Sequence, residues 1–246
     1  MQGPSCGIVI GHYNQPDFLE LNIAAIRHHC GDVPILVSDD CSDGFGQTPR
    51  SNTLFGRVLL LAEKDRNVTV WPNVSTIGHA GGDMSAFWKG LIWSRNLGFD
   101  VLFKISQRLI FDIPDWVRKS AKELINSGAK TLGKGCTQDP WQLRTESVAM
   151  LVRPWSKPSI LTHLTPRPIN VATELVLYDD VRDRLDDSIT KWSLMADSRY
   201  ERKEGVLFRA THSPSDYFNL ANRLGLYIQG PLTCEASENL QNYKIG

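Results

Sequence analysis

The stretch that decides the fold covers residues 7–44 and reads GIVIGHYNQPDFLELNIAAIRHHCGDVPILVSDDCSDG. It begins with an apolar run that ends in the polar segment at 11–14, and a second apolar run ends at Asp39 and Asp40. Apolar residues recur at helical spacing after Pro16, which is typical of a helix start. A strand, a helix and a second strand that ends in paired carboxylates put both acids at the carboxyl edge of a sheet, where open α/β sheets bind ligands.

The chain continues the same alternation of strands and helices. Apolar runs predict a third strand at 68–71 and a fourth at 101–105. Between them we expect a glycine-rich turn at 78–83, with Asp83 as the N-cap of a helix over 84–97. This order predicts an α/β fold with a mostly parallel central sheet flanked by helices.

The bulk properties exclude several classes of protein. Lys+Arg and Asp+Glu both number 27, so the formal net charge is zero, which argues against a surface that coats a polyanion. The five cysteines contain no CxxC pair, and we read them as reduced thiols. Neither a signal peptide nor a membrane span is apparent, so we expect a cytoplasmic protein.

The second half is less regular. We predict a strand at 147–152, a helix at 174–185, and a last helix to 224 that opens with a capping box at Ser213. The loop at 44–57 is polar, and 58–62 fits either a strand or a helix. We expect one domain over 1–246, with its two halves meeting at about residue 110.

The pattern Tyr13-Asn14, a helix, and then Asp-Asp-x-Ser-Asp-Gly at 39–44 resembles the family 2 glycosyltransferases, which have the GT-A fold. The resemblance covers the first half well and the second half poorly. It implies a nucleotide-binding half at about 1–110 and an acceptor-side half at about 111–246. It implies that the strand-end acids contact the base and ribose of a sugar nucleotide, since carboxylates accept hydrogen bonds from such groups. The residues that it assigns to the nucleotide sugar are Tyr13, Asn14, Asp39, Asp40, Ser42, Gly81, Gly82, Asp83, Ser106 and Gln107.

The sequence departs from that family at Ser106-Gln107-Arg108. Ser106 and Arg108 stand where the family has two aspartates that hold Mg²⁺ or Mn²⁺. Hard cations prefer carboxylate oxygens, and arginine has no acceptor at all. Arginine does bring a fixed positive charge to a phosphate. We therefore expect no cofactor, although a divalent cation stays open, and we assign Arg108 a catalytic role in place of the ion.

Transfer also needs a base that deprotonates the acceptor hydroxyl. The resemblance implies a carboxylate downstream of the metal motif. We choose Glu174 first and Asp180 next, while Asp139 and Glu146 stay open as alternatives.

These observations predict a glycosyltransferase, a hexosyl- or related transferase, that moves a sugar from a nucleotide-sugar donor to a hydroxyl acceptor without a metal. The alternative is a catalytically degenerate GT-A-like protein that binds the nucleotide sugar. A dehydrogenase is disfavoured because no G-x-G-x-x-G follows the first strand. We expect a UDP-sugar as donor and a glycan or small molecule as acceptor. A nucleic acid acceptor stays open, because Arg144, Arg153 and Arg167 could follow a phosphate backbone.

Overall fold

The computed structural model describes residues 3–42, 54–136, 139–163, 173, 176–177, 189–196 and 201–228. Its strands are β1 (Cys6–His12), β2 (Ile35–Asp39), β3 (Val68–Pro72), β4 (Val101–Ser106), β5 (Leu109–Phe111), β6 (Thr131–Cys136), β7 (Asp139–Leu151), β8 (Ile189–Lys191) and β9 (Val206–Phe208). Its helices are α1 (Pro16–Cys30), α2 (Leu54–Lys64), α3 (Gly78–Leu97), α4 (Trp116–Ser127), α5 (Val152–Trp155), α6 (Pro158–His163) and α7 (Pro214–Arg223).

A seven-stranded sheet in the order β3-β2-β1-β4-β7-β6-β8 forms the centre of the fold. The four strands β3, β2, β1 and β4 run parallel, which brings their carboxyl ends to one edge. The long β7 runs antiparallel to both β4 and β6, and β8 is parallel to β6. A separate two-stranded antiparallel sheet pairs β5 with β9. The predicted α/β class with a mostly parallel sheet is therefore confirmed.

Helices cover both faces of the central sheet. One apolar cluster packs α1, α2 and α4 on one face, and a second packs α3, α5 and α6 on the other. Close contact between α3 and the sheet depends on Gly90, where a Cβ atom would lie 2.7 Å from a methyl group of Val9. These layers bury most of β1, β2 and β4 and leave their carboxyl ends as the accessible edge.

The start of α3 corrects the sequence prediction. We expected a turn at 78–83 and a helix that begins after Asp83, but α3 already begins at Gly78. The backbone N–H that precedes the helix, from Ile77, donates to the carboxylate of Asp40 at 3.1 Å. A side chain from another strand thus binds the N-terminal end of the helix, and Asp83 lies inside its second turn. Gly81 and Gly82 are helical residues, because tertiary packing outweighs their low helix propensity.

Several other boundaries can be compared with the sequence. The ambiguous segment at 58–62 is helical, and α2 also includes 54–57, which we expected to be a loop. The capping box at Ser213 is confirmed, since the Ser213 N–H donates to the Asp216 carboxylate at 2.8 Å. The helix expected at 174–185 lies outside the described residues apart from 176–177. Within the described part of the chain, no helix combines the length and apolar character needed to cross a membrane.

Candidate active site

A pocket of about 310 Å³ opens at the carboxyl ends of β1, β2 and β4. Residues from the first two turns of α3, from β7 and from the turn after β9 complete its wall. The described residues that line it are Gly11, His12, Tyr13, Asp40, Thr76, Gly78, Gly82, Asp83, Ser106, Gln107, Arg108, Glu146 and Arg209.

Asp39 is completely buried, and its carboxylate is engaged inside the protein. One oxygen accepts hydrogen bonds from His12 Nδ1 at 2.6 Å and Ser42 Oγ at 2.5 Å, and the other accepts from the Ser42 N–H at 2.7 Å. Burial alone would raise the pKa of the Asp39 carboxyl, but the hydrogen bonds from His12 and Ser42 outweigh it and hold this pKa below its usual value. Asp39 therefore fixes the loop that follows β2, and the described pocket wall does not include it.

Asp40 has the opposite orientation and faces the pocket. Its Oδ1 accepts from Asn73 Nδ2 at 2.8 Å and from the Ile77 N–H. Asn73 in turn accepts from Ser85 Oγ at 2.8 Å, so the Asp40 carboxylate is held by a chain of buried polar groups. Oδ2 lies beside Gly82, where a Cβ atom would approach to 3.1 Å, so a glycine here leaves room next to this oxygen.

One predicted residue of the pocket wall, Asp83, forms an ion pair with the buried Lys104. Asp83 accepts a hydrogen bond from Lys104 Nζ at 2.5 Å, and the Lys104 ammonium also lies 5.2 Å from the centre of the Phe87 ring. Lys104 is fully buried, and a Cβ atom at Gly11 would lie within 4 Å of both partners. Asp83 thus lies in the wall, but Lys104 already neutralises its charge.

The turn at 106–108 is held in place through its backbone. Asn22 Nδ2, from α1, donates to the carbonyl oxygens of Ser106, Gln107 and Leu109 at 3.3, 3.2 and 2.9 Å. The Gln107 side chain forms two hydrogen bonds with the backbone of Tyr13, accepting from its N–H at 3.1 Å and donating to its carbonyl at 3.2 Å. Gln107 therefore joins the ends of β1 and β4 and leaves the Tyr13 ring about half exposed at the pocket, at 47%.

Arg108 lies in the wall and is partly buried. Its Nε donates to Gln15 Oε1 at 2.5 Å, and its guanidinium lies 5.8 Å from the centre of the Phe18 ring. The hydroxyl of Tyr217, from α7, donates to the Arg108 carbonyl at 2.9 Å. These contacts place a permanent positive charge at the end of β4 and limit the directions that it can take.

The structure brings most of the predicted site residues together. Those that line the pocket are Tyr13, Asp40, Gly82, Asp83, Ser106, Gln107 and Arg108. Asn14, Asp39, Ser42 and Gly81 are not part of the described wall; the Asn14 N–H, for example, donates to Ser42 Oγ at 3.0 Å. Glu174 and Asp180 lie outside the described residues. Glu146, one of the open alternatives for the base, is in the wall, because the β4–β7 register that pairs Ile105 with Ser147 brings it opposite Ser106.

The sequence analysis did not identify Arg209, Thr76 or Gly78 as site residues. Arg209 follows β9, a three-residue strand whose pairing with β5 connects positions about a hundred residues apart. No motif surrounds it, so the sequence offers no local signal. Arg153, which we considered for a nucleic-acid groove, is exposed on α5 and is not part of the described wall.

The residues at the end of β4 do not fit the divalent cation that the fold family implies. Ser106 supplies a hydroxyl, the Gln107 amide is bonded to Tyr13, and Arg108 is a cation. Of the nearby acids, Asp83 is paired with Lys104 and one oxygen of Asp40 is bonded to Asn73. Across the described ranges, no three His, Cys, Asp or Glu side chains come close enough together to hold a metal.

Solved glycosyltransferases share this architecture. The mannosyltransferase PcManGT from Pyrobaculum calidifontis, solved with GDP-Man and Mn²⁺, is 13% identical over 79% of this chain and 58% of its own, with a TM-score of 0.52. TarS 1-349 from S. aureus is 9% identical over 89% of this chain and 64% of its own, with a TM-score of 0.54. The galactosyltransferase LgtC, solved with donor and acceptor sugar analogs, is 9% identical over 92% of this chain and 97% of its own, with a TM-score of 0.54.

These comparisons establish the fold. The chain has the GT-A glycosyltransferase fold, as the sequence pattern at 13–44 predicted. It spans less than two thirds of the first two structures and almost all of the third. No family model matches the sequence, and none of the curated proteins does.

Proposed function

We propose that this protein is a glycosyltransferase that moves a sugar from a nucleotide sugar to the hydroxyl of an acceptor. The observation that carries the proposal is the presence of Asp40 and Arg108 in one pocket at the carboxyl edge of a GT-A sheet. A carboxylate suits the nucleoside end of such a donor, and a guanidinium suits its phosphates.

Asp40 is the residue that we assign to the nucleoside. Its Oδ2 adjoins the pocket, and a carboxylate oxygen accepts hydrogen bonds from ribose hydroxyls or from the N–H of uracil or guanine. The Tyr13 ring lies at the same end with half of its surface exposed. A UDP-sugar is the first donor to test. Asp39 acts indirectly here, since it holds Ser42 and His12 and thereby the loop that carries Asp40.

Arg108 is the residue that we assign to the leaving group. In the reaction, the acceptor oxygen forms a bond to the anomeric carbon while the bond from that carbon to the phosphate oxygen breaks. The electron pair of the broken bond goes to the phosphate, which gains negative charge. A positive charge that is already in position stabilises that state without reorganisation, so Arg108 replaces the cation and transfer proceeds without a metal.

The hydroxyl proton passes to a carboxylate. Glu174 and Asp180 remain our predictions from sequence, and Glu146 joins them because it lies in the pocket wall. Substitution by the matching amide, glutamine for Glu146 or Glu174 and asparagine for Asp180, keeps the size of each side chain and removes its basicity. The base is the residue among Glu146, Glu174 and Asp180 whose amide variant loses turnover while it retains donor binding.

The proposal is tested by thermal-shift measurements with a panel of nucleotide sugars, each with Mn²⁺ and with EDTA, followed by assays of nucleotide release with hydroxyl acceptors. We expect one donor to stabilise the protein in both conditions and to turn over. Asp40→Asn should lose the shift, whereas Asp32→Asn, at an exposed acid far from the pocket, should retain it. A protein that none of the nucleotide sugars stabilises would contradict the proposal.

The substitution of both metal-binding aspartates by Ser106 and Arg108 also favours a second candidate function, which is binding of a nucleotide sugar without transfer. The same measurements separate the two functions. A donor that stabilises the protein but releases no nucleotide with any acceptor would favour the binding protein.

A further inference from the structure

A second depression lies at the opposite end of the sheet from the pocket described above. Its volume is about 390 Å³, and it opens where α3 ends, where β4 begins and where α5 follows β7. The six residues of β4 span about 20 Å, which separates this depression from the pocket at the other end of the strand. The depression is therefore a separate place for a ligand.

Three cations line this depression. Arg95 lies in the last turn of α3, Arg153 lies on α5, and Lys157 follows that helix. All three are exposed, and none of their side chains forms an ion pair or a hydrogen bond within the described part of the chain. By contrast, Arg27 and Arg57 each bind a carboxylate. Because the whole chain has no net charge, the depression is a local excess of positive charge.

Hydrogen bonds between different elements fix the backbone around the depression. The Val152 N–H donates to the Asp100 carbonyl at 2.9 Å, which joins the start of α5 to the segment between α3 and β4. The register that pairs Leu151 with Val101 holds the same two segments together. The Ser156 N–H donates to the Val152 carbonyl at 2.9 Å and closes the turn that carries two of the cations. The fold thus keeps the three positive charges around one opening.

The surroundings of the depression do not compensate this charge. The nearest acid along the chain, Asp100, is not part of the described lining, and one of its carboxylate oxygens accepts hydrogen bonds from the Ser5 N–H at 2.9 Å and the Ser5 Oγ at 2.8 Å. The floor is apolar, since Val152 is buried and the Phe99 ring packs edge-on against Trp93 with ring centres 5.1 Å apart. A cleft of one charge sign with apolar walls concentrates the electric field on its opening and attracts ions of the opposite sign.

We infer that this depression binds a phosphate-bearing anion through Arg95, Arg153 and Lys157. The planar fork of each arginine matches two oxygens of a phosphate, and the lysine adds a third positive charge. A multiply charged anion between the three cations also removes their mutual repulsion. A nucleic acid backbone needs cations that follow successive phosphates, whereas these three share one depression. The inference is independent of the proposed function, and the phosphate belongs either to a free compound or to a lipid headgroup.

The first test measures anion binding. Isothermal titration calorimetry at low ionic strength, without divalent cations, compares inorganic pyrophosphate with inorganic phosphate on the full chain. The variants are Arg95→Ala, Arg153→Ala, their double variant and Lys157→Ala. The matched control is Arg118→Ala, which removes the same charge from an exposed position on α4. Arg108→Ala separates this site from the pocket at the other end of β4, and circular dichroism melts establish that each variant is folded.

The wild type should bind pyrophosphate more tightly than phosphate, because pyrophosphate carries more charge. Each alanine variant at the depression should weaken pyrophosphate binding by about fivefold, as for one exposed cation that faces an anion, and the double variant should lose more. Arg118→Ala and Arg108→Ala should retain this binding. A wild type that does not bind pyrophosphate would overturn the inference. So would binding that Arg108→Ala removes and that Arg95→Ala and Arg153→Ala retain.

Amine labelling gives a local measurement that a general change of charge does not affect. Lys157 is exposed, so acetic anhydride should modify it in the free protein, and saturating pyrophosphate should protect it. Lys119, exposed on α4, should be modified equally with and without pyrophosphate. Mass spectrometry of peptides measures both, and the protection should be reduced in Arg153→Ala. Equal labelling of Lys157 in both conditions would contradict the site.

Vesicles distinguish the two sources of phosphate. The vesicles are phosphatidylcholine alone and an equal mixture of phosphatidylcholine and phosphatidylserine. Co-sedimentation with the mixed vesicles alone, weakened in Arg95→Ala and reversed by pyrophosphate, supports a lipid headgroup. Pyrophosphate binding without co-sedimentation supports a free phosphate compound. A DNA duplex that binds more tightly than pyrophosphate, and loses that binding in the same variants, would overturn the site in favour of a nucleic-acid surface.

Discussion

The strands β2 and β4 lie on either side of β1, and the polar residues at their ends have different roles. Those after β2 bond mainly to other protein groups, whereas the end of β4 presents a charged side chain to the pocket. At the end of β2, both carboxylate oxygens of Asp39 accept hydrogen bonds from His12 or Ser42 inside the protein. At the end of β4, residues from other elements hold the backbone, and the Arg108 side chain faces the pocket. The motif residue Asp39 therefore supports the loop after β2. At the end of β4 the motif residue Gln107 shares that role with Asn22 and Tyr217, which lie outside the motif. Adjacent positions of a motif therefore have different roles, since Asp39 supports the loop and Asp40 faces the pocket.

The largest effect should come from Asp39→Ala, which acts on stability. It leaves His12 and Ser42 without their buried partner, so we expect the free energy of unfolding to fall by about 3 kcal/mol or more. Urea unfolding at pH 7 measures this loss, and Asp32→Ala at an exposed position is the control. A loss below that of the control would contradict the supporting role of Asp39.

The loss from Asp39→Ala should also depend on pH. The pKa of Asp39 is lowered in the folded protein, so its contribution to stability is complete above the unfolded pKa of about 4 and is lost as the pH falls through the folded pKa. Unfolding curves of wild type and variant should therefore converge in acid. Parallel curves down to the lowest pH at which the wild type folds would be evidence against a charged Asp39.

Arg108→Ala should have the next largest effect, and it acts on turnover. Loss of a positioned charge at the leaving group should lower the rate by about a hundredfold or more. Arg108→Lys should restore only part of the rate, because the planar fork is lost. Steady-state kinetics measure both changes. The control is Arg118→Ala, at an exposed position on α4. Normal turnover in Arg108→Ala would remove the contrast between β2 and β4.

Asp40→Asn should act on ligand binding and leave the fold intact. The asparagine keeps an oxygen for Asn73 and the Ile77 N–H, but it replaces the second oxygen with a donor. We expect nucleotide affinity to fall by about tenfold or more, as for a lost hydrogen bond to a charged group. Calorimetric titration and thermal melting check both parts. A stability loss equal to that of Asp39→Ala, with unchanged affinity, would show that both acids only support the loop.

The substitution Lys89→Met should give the smallest effect, and it tests the charge of a buried lysine near Asp39 and Asp40. This buried ammonium donates to the Trp71 carbonyl at 2.7 Å. Burial lowers its pKa to about 8, against the opposing influence of Asp39 and Asp40. Below pH 8 the folded protein therefore carries a buried charge. Above that pH the folded state loses the proton before the unfolded state does, so wild-type stability should rise relative to Lys89→Met.

Between pH 7.5 and 9.5 the difference in unfolding free energy between wild type and Lys89→Met should shift by about 1–2 kcal/mol in favour of the wild type. Paired urea titrations across this range measure it, and subtraction cancels the titration of groups common to both proteins. A difference that stays constant, or that shifts in favour of the variant, would place the Lys89 pKa outside this range.

Local patterns in the sequence predicted most of the fold. The apolar runs at β1, β2 and β4 and the capping box at Ser213 depend on neighbouring residues, and each lies where it was expected. The predicted start of α3 was wrong, because the group that binds its N-terminal end is Asp40, which follows β2. No pattern within 78–83 reports that contact.

The candidate site was predicted in part, for the same physical reason. Asp40 and Arg108 each belong to a short continuous motif, at 39–44 and 106–108, and both line the pocket. Asn22, Tyr217 and Arg209 reach the site through tertiary packing and the β5–β9 pairing, so spacing along the chain does not reveal them. The sequence also does not tell which of Asp39 and Asp40 faces the pocket, because their orientations depend on His12, Ser42 and Asn73.

The central claim is that a fixed arginine at the end of β4 takes the place of a metal ion in sugar transfer. The most direct test is the initial rate of nucleotide release from the cognate nucleotide sugar in the presence of acceptor, measured in excess EDTA and then with Mn²⁺ restored. We expect a rate in EDTA equal to the rate with Mn²⁺, and a large loss of rate in Arg108→Ala under both conditions. A rate that disappears in EDTA and returns with Mn²⁺ would contradict it.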